Sequence, residues 1–280
     1  MTFHYTIAEL QPYINWAYFY HAWQLHQPDE QKRLRLEAES FLGEHEEHYR
    51  AHAVLLLADA HSDGDDIVLD SGERIPCLRQ QQEGSDYLCL ADFISPLTSH
   101  LSPLSSHLSP LTSQFSVLTS KIGLFATSAD QGLETDFDED PYQKMMAQLL
   151  ADRLAEAAAE RLHEQVRKSI WGYARHEQLS IDEMLQEHFQ GIRPAVGYPS
   201  LPDASVNFIL DKLLHMQDIG ITLTASGAMR PHASVSGLMM GHPQAHYFSV
   251  GKIGDDQVRD YAGRRGLPVE TVRKFLASNL

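Results

Sequence analysis

An α+β fold, with a mostly antiparallel sheet and one long helix, is predicted by three observations. Short apolar runs that read as strands do not alternate with helical segments, so a doubly wound parallel sheet is disfavoured. Met145, Leu149, Leu150, Leu154 and Leu162 form one stripe at helical spacing, long enough for a central helix. The chain has 280 residues, 43% of them hydrophobic, which is ample for a sizeable buried core.

Taken in order, residues 7–41 show helical periodicity with an aromatic face at Tyr13, Trp16 and Phe19, read as core packing. Residues 53–58 read as a buried strand, and residues 67–69 as a second after a polar turn at 61–66. Residues 74–76 and 87–89 flank another loop. Residues 95–122 hold four heptads, SPLTSHL, SPLSSHL, SPLTSQF and SVLTSKI. Interior proline costs about 3 kcal/mol in a helix, so a coiled coil is disfavoured and a low-complexity insertion is expected. A strand is expected at 121–126 and a helix from Pro141 to about Tyr173, with Pro141 suited to the first turn. Ser180-Ile181-Asp182-Glu183 is a capping box opening a helix that ends near Phe189. Residues 207–216 read as a helix, and 219–224 and 247–253 as strands. Two short helices close the chain, one stopping at Gly266 and one opened by Pro268. The organisation expected is a single domain over 1–280, with 95–122 inserted in it.

The formal charge of −16 argues against non-specific nucleic-acid binding, which needs a basic footprint. No apolar run approaches the ~20 residues that span a bilayer. The N-terminus has no secretory pattern, and Cys77 and Cys89 lack a metal-ligand spacing, so a cytoplasmic protein with reduced thiols is expected.

The segment Gln190-Gly191-Ile192-Arg193-Pro194-Ala195-Val196-Gly197-Tyr198-Pro199 packs one arginine, two glycines and two prolines into ten residues. Proline disfavours both helix and regular strand here, and glycine lets backbone approach a ligand. Arg193 offers a planar fork suited to a carboxylate or phosphate. A shaped loop carrying one recognition cation and a rigid surface connection are the two readings. Asp59-Ala60-His61-Ser62-Asp63-Gly64 has the spacing by which some cobalamin proteins present a histidine to cobalt. The nucleotide-binding α/β surroundings of such a site do not appear, and an exposed hairpin loop is expected instead. Asp63, Asp65 and Asp66 lack an EF-hand pattern. No Walker loop, G-x-G-x-x-G or G-x-S-x-G occurs. With neither a catalytic set nor a metal set, the chain reads as a module that binds a reactant rather than one that activates a nucleophile.

Arg193-Pro194-Ala195 with Gly197-Tyr198-Pro199 resembles the signature of the reactivation domain of cobalamin-dependent methionine synthase. Ala151-Asp152-Arg153-Leu154-Ala155-Glu156, Leu162-His163-Glu164, Trp171-Gly172-Tyr173-Ala174, Ala233-Ser234-Val235-Ser236-Gly237 and Leu90-Ala91-Asp92-Phe93 are similar to that family too. The resemblance implies a bent antiparallel sheet in a C-shaped molecule, and a shorter loop where 95–122 stands. It also implies a site for S-adenosylmethionine. Arg193 would pair with the ligand carboxylate; Ala195, Gly197 and Tyr198 would present backbone to the adenine. Glu156 and Glu187 would face the cationic end, Tyr247 the ribose or the sulfonium, and Phe248 would help shape the pocket or face the cobalamin module. The family holds this ligand over cobalamin, whose methyl-carrier cycle it restarts with an electron commonly taken from flavodoxin. The homocysteine, folate and cobalamin modules are absent from this sequence, so a cobalamin-binding methionine synthase chain is the implied partner. The protein would be a component of a methyltransferase in methionine biosynthesis, not complete alone. Departures from the family pattern are Asn15 for an aspartate that contacts the ligand, Phe248 for a tyrosine, Leu201 for a cysteine and Ala225 for a glutamate. Residues 204–207 also lack its His-Thr-Glu-Lys run. These departures keep a second reading open: a sensor or degenerate relative that binds S-adenosylmethionine without methyl transfer.

Overall fold

A computed structural model describes residues 1–97 and 118–280. Most of the 95–122 repeat segment therefore lies outside the described residues. The chain starts with β1 (Thr2–Tyr5) and helices α1 (Ile7–Leu10), α2 (Trp16–Ala22) and α3 (Pro28–Glu44). Strands β2 (Ala51–Asp63), β3 (Asp66–Leu69), β4 (Arg74–Pro76) and β5 (Lys121–Ala129) follow. Helices α4 (Gly132–Thr135), α5 (Pro141–Gln165), α6 (Ile181–Leu185) and α7 (Asn207–Leu214) come next. The small hairpin of β6 (Thr222–Leu223) and β7 (Met229–Arg230) precedes β8 (Ser234–Met239), and α8 (Asp255–Arg265) and α9 (Val269–Phe275) close the chain.

The main sheet runs β4-β3-β2-β5-β8, with β1 also on β2, and every pairing is antiparallel. One edge of β2 is shared: residues 51–54 pair with β1 and residues 60–63 with β3. The other edge pairs with β5 over residues 51–59. Handing one long strand from partner to partner lets the sheet curl into a half-barrel. Side chains alternate between two cores. Phe125 joins Leu55 and the helix α5 on one face, while Leu124 and Ala126 join Leu210 and Leu214 of α7 on the other. Burial on both faces explains the uninterrupted apolar run of β5.

Asp140 caps α5 by accepting from the Tyr142 and Gln143 N–H groups. The buried Ala151, Ala155, Ala158 and Ala159 let this helix lie close on the sheet, where the Ala155 carbonyl accepts from the Thr127 hydroxyl at 2.9 Å. The α-helix gives way to a π turn over Val166–Ile170, with the Trp171 N–H reaching the Val166 carbonyl at 3.0 Å. The predicted helix to Tyr173 is therefore shorter. The turn sends Arg167 inward, fully buried, where Glu177 takes it fork to fork at 2.7–3.2 Å.

Several expectations need correction. The periodic stretch 7–41 is not one helix: Pro12, the Asn15 cap, Gln24 at φ +55° and Pro28 break it into pieces. The capping box at Ser180 forms as read, but its helix stops at Leu185 and not near Phe189. Residues 247–253 form no strand, because the hydrogen bonds of that segment are shared among the Arg193 loop, Gln80 and Asn279 and make no ladder. The segment read at 219–224 is strand only at Thr222–Leu223. His61 lies within β2, half-buried and paired with Val68, rather than in an exposed loop; the turn falls at Gly64. Strands β1 and β8 went unread, since Thr2–Tyr5 is short and Ser234–Met239 is rich in serine and glycine. Among the described residues no helix is long and apolar enough to cross a membrane.

Candidate ligand-binding site

A cavity of about 650 Å³ opens where α5, the start of α2, the Arg193 loop and the 247–249 segment meet. Its volume suits a small organic ligand. Arg153, Glu156 and Glu160 line it from α5, at i, i+3 and i+7 on one helix face. Tyr13, Asn15 and Tyr18 line it from the start of α2, where the Asn15 Oδ1 also accepts from the Ala17 N–H at 3.2 Å and so caps that helix.

The Arg193 loop owes its shape to β8. Ile192 and Met240 exchange both backbone hydrogen bonds at 3.0 Å, Leu238 N–H reaches the Pro194 carbonyl at 3.0 Å, and Val196 N–H the Ser236 carbonyl at 2.9 Å. A proline-broken segment thus lies along the outer edge of the sheet like an irregular strand. Close approach requires Gly237: a Cβ there would sit 2.3 Å from the Pro194 carbonyl oxygen. Gly191 adds a backbone at φ +85°, with the Met240 carbonyl oxygen 2.2 Å from where its Cβ would be. Farther along, Leu201 is buried in the second core and its carbonyl accepts from the Gly197 N–H at 2.8 Å, which closes the loop.

Arg193 is held from three sides. Its backbone N–H donates to the Tyr247 hydroxyl at 2.9 Å, Nη2 donates to Glu160 at 2.5 Å, and the guanidinium lies 5.9 Å from the Phe125 ring centre. Nη1 is buried and has no acceptor among the described residues. Burial works against the arginine charge, but Glu160, then Tyr247 and Glu156, outweigh it and hold the pKa above its ordinary value. Desolvation, then the neighbouring Glu160, raises the Glu187 carboxyl, with Arg193 pulling the other way. Glu187 also sits in the left-handed region at φ +62°, just past the end of α6. Tyr198 donates weakly to Glu156 at 3.4 Å, and that carboxylate and then burial raise its pKa. Beneath Arg193, His163 is completely buried; desolvation, then Arg167 and Arg193, push its pKa well below the ordinary value.

Of the nine residues singled out from sequence, all but Gly197 line the cavity. Gly197 sits behind it at φ +89°, shaping the turn that presents Tyr198. Ala225 is exposed in the β6–β7 turn, away from the cavity, and Asn207 is buried, donating to the Gly227 carbonyl and accepting from Ser236. Sequence reading missed Tyr13, Tyr18, Arg153, Glu160 and Phe125. The helical spacing of Arg153, Glu156 and Glu160 was an available signal. Tyr18 was hidden by its neighbours, because Trp16 and Phe19 do pack in the core while Tyr18 is 64% exposed.

A curled antiparallel sheet crossed by a long helix, with a charged cavity beside them, defines an α+β module. The family model described as vitamin B12 dependent methionine synthase, activation domain, matches residues 6–266. A solved structure described as "Crystal Structure of the MetH Reactivation Domain bound to AdoHcy" is similar with a TM-score of 0.88 and 36% identity, covering 100% of this chain and 90% of that one. The chain belongs to the activation-domain family of vitamin B12-dependent methionine synthase.

Proposed function

We propose that the cavity binds S-adenosylmethionine and that the chain thereby supports reductive methylation of cob(II)alamin on a separate methionine synthase polypeptide. The observation that carries this reading is that Arg193 and the carboxylates Glu156 and Glu187 line one cavity. One carboxylate and two positive centres on the ligand match that arrangement. AdoHcy, bound by the related reactivation domain, is the same molecule without its transferable methyl group. In this reading Arg193 takes the ligand carboxylate, Ala195 and Tyr198 lie along the adenine, and Glu156 and Glu187 face the ammonium and sulfonium. Tyr247 and Phe248 cover the ribose and sulfur. Cobalamin held by the partner and reduced by an external one-electron donor such as flavodoxin would supply the methyl acceptor, and S-adenosylhomocysteine would be left in the cavity. This chain contributes position and a fixed electrostatic field.

Calorimetric titration of S-adenosylmethionine into the wild type and Arg193→Ala tests the reading. Loss of a charge-assisted pair should weaken binding roughly 10- to 100-fold. No saturable heat with a folded wild type, alone or with the cobalamin partner, would refute it. Asn15 favours a second reading, a sensor or non-catalytic relative, because a neutral amide shared with the Ala17 N–H stands on the cavity wall. Binding without methylation of cob(II)alamin in a reconstituted mixture would select that reading.

A further inference from the structure

We propose that Glu160 is a positioning residue that sets the ligand selectivity of Arg193: it holds the guanidinium so that one edge is committed and the other is left for a carboxylate in the cavity. The inference rests on the binding proposal above and deepens it.

Arg193 contrasts with the fully buried Arg167. Arg167 is taken by Glu177 fork to fork, through Nε and Nη2 to both carboxylate oxygens, and has no part in the cavity. Arg193 is taken by Glu160 through a single bond, Nη2 to Oε1 at 2.5 Å. Nη1 is buried and keeps no partner among the described residues. Arg167 Nη1 is likewise buried without a hydrogen-bond partner among the described residues, so what sets Arg193 apart is the single tie to Glu160 and a side chain that lines the cavity. Glu160 itself lines the cavity from α5, one turn beyond Glu156, with its side chain only 18% exposed. The Arg193 side chain is 10% exposed, so no solvent shell orients it. The restraint must come from its neighbours: Tyr247 at the backbone, Phe125 beneath the plane and Glu160 at Nη2. Among the described residues, Glu160 is the hydrogen-bond partner that fixes the rotation of the guanidinium within its plane, and a bidentate recognition geometry depends on that rotation.

A stand-in role, with Glu160 occupying the place of the ligand carboxylate, makes the opposite prediction. A stand-in would be displaced on binding, and its removal would tighten the ligand.

The test uses Glu160→Ala, Glu160→Gln and Glu160→Asp, each checked for folding by near-UV circular dichroism, with calorimetric titration of two probes. S-adenosylhomocysteine carries the α-carboxylate; decarboxylated S-adenosylmethionine lacks it. Glu160→Ala should weaken S-adenosylhomocysteine about tenfold or more while leaving the decarboxylated probe within about twofold. Glu160→Gln keeps an acceptor at the same reach and should restore S-adenosylhomocysteine to within about threefold of wild type. Glu160→Asp draws the acceptor back by one methylene and should show the same carboxylate-specific loss, which keeps the test decisive if the alanine variant does not fold. Equal losses on both probes, unchanged affinity, or tighter binding of S-adenosylhomocysteine would each overturn the proposal while leaving the binding site standing. A folded wild type that takes up neither probe would overturn the binding reading and this inference together.

Discussion

Gly237→Ala probes the contact that shapes the site. Its Cβ would lie 2.3 Å from the Pro194 carbonyl oxygen, 2.9 Å from the Ala195 Cα and 3.0 Å from a Phe125 ring carbon, where ordinary contacts start at 3.4 Å. Two of these neighbours are backbone and cannot rotate away. The loop would have to retreat by roughly 1 Å, which removes most of the contact energy at this seam. The Leu238–Pro194 and Val196–Ser236 hydrogen bonds, at 3.0 and 2.9 Å, would stretch with it. Overpacking costs about 1–3 kcal/mol and weakened hydrogen bonds about 1 kcal/mol each. The intrinsic gain of alanine over glycine in a strand, about 0.5–1 kcal/mol, is smaller. A net loss of about 2–4 kcal/mol in urea unfolding is expected. S-adenosylmethionine affinity should fall at least about tenfold, because the retreat carries Arg193 and Ala195 away from the cavity. Gly263→Ala in α8, which meets nothing within 4 Å, is the control and should stabilise by up to about 1 kcal/mol. A Gly237→Ala protein with wild-type stability and wild-type affinity would refute the claim that this close approach holds the loop.

Three further outcomes are expected. Asn15→Asp should tighten S-adenosylmethionine binding up to about tenfold by calorimetry, adding a charge on the cavity wall while keeping the α2 cap. Glu187→Gly should relieve a left-handed backbone and raise stability by up to about 1 kcal/mol, while weakening the ligand about tenfold. His163 is held neutral, its pKa depressed by burial first and then by Arg167 and Arg193. A depressed folded pKa gives stability that is complete above the unfolded value near 6.5 and is lost as pH falls below it. Urea unfolding between pH 7.5 and 5.5 should therefore show a loss of at most about 1.4 kcal/mol per pH unit from this group. His242, lowered by burial alone, acts in the same direction. The slope should flatten in His163→Gln, and an unchanged slope would remove His163 as the cause.

What could be read in advance followed from local chemistry. Pro141, the Ser180 capping box and Gly266 mark helix ends by steric and hydrogen-bonding rules that act within a few residues, and all three act as read. Strands β2 and β5 were legible because their burial on two faces leaves uninterrupted apolar runs. Strand β8 was not, because Ser236 and Gly237 serve contacts made far away in sequence: a hydroxyl for Asn207 and room for Pro194. The same holds in the site. Arg193 was visible from its proline and glycine setting, whereas its tie to Glu160 spans 33 positions and only the folded chain brings the two together. Tyr247 was read as part of a strand; its hydroxyl accepting from the Arg193 N–H explains why that segment leaves the sheet.

The loop on β8 has a bearing on solubility as well as on binding. On the outer edge of β8, the Ser236 carbonyl accepts from Val196, the Leu238 N–H donates to Pro194, and Met240 exchanges both bonds with Ile192. An incoming chain that tried to extend the sheet there would find no open ladder and would have to evict the binding loop first. Competence to hold a ligand and resistance to edge-to-edge aggregation thus depend on one set of hydrogen bonds. A lesion that loosens the loop would therefore open the β8 edge at the same time as it costs the site its Arg193.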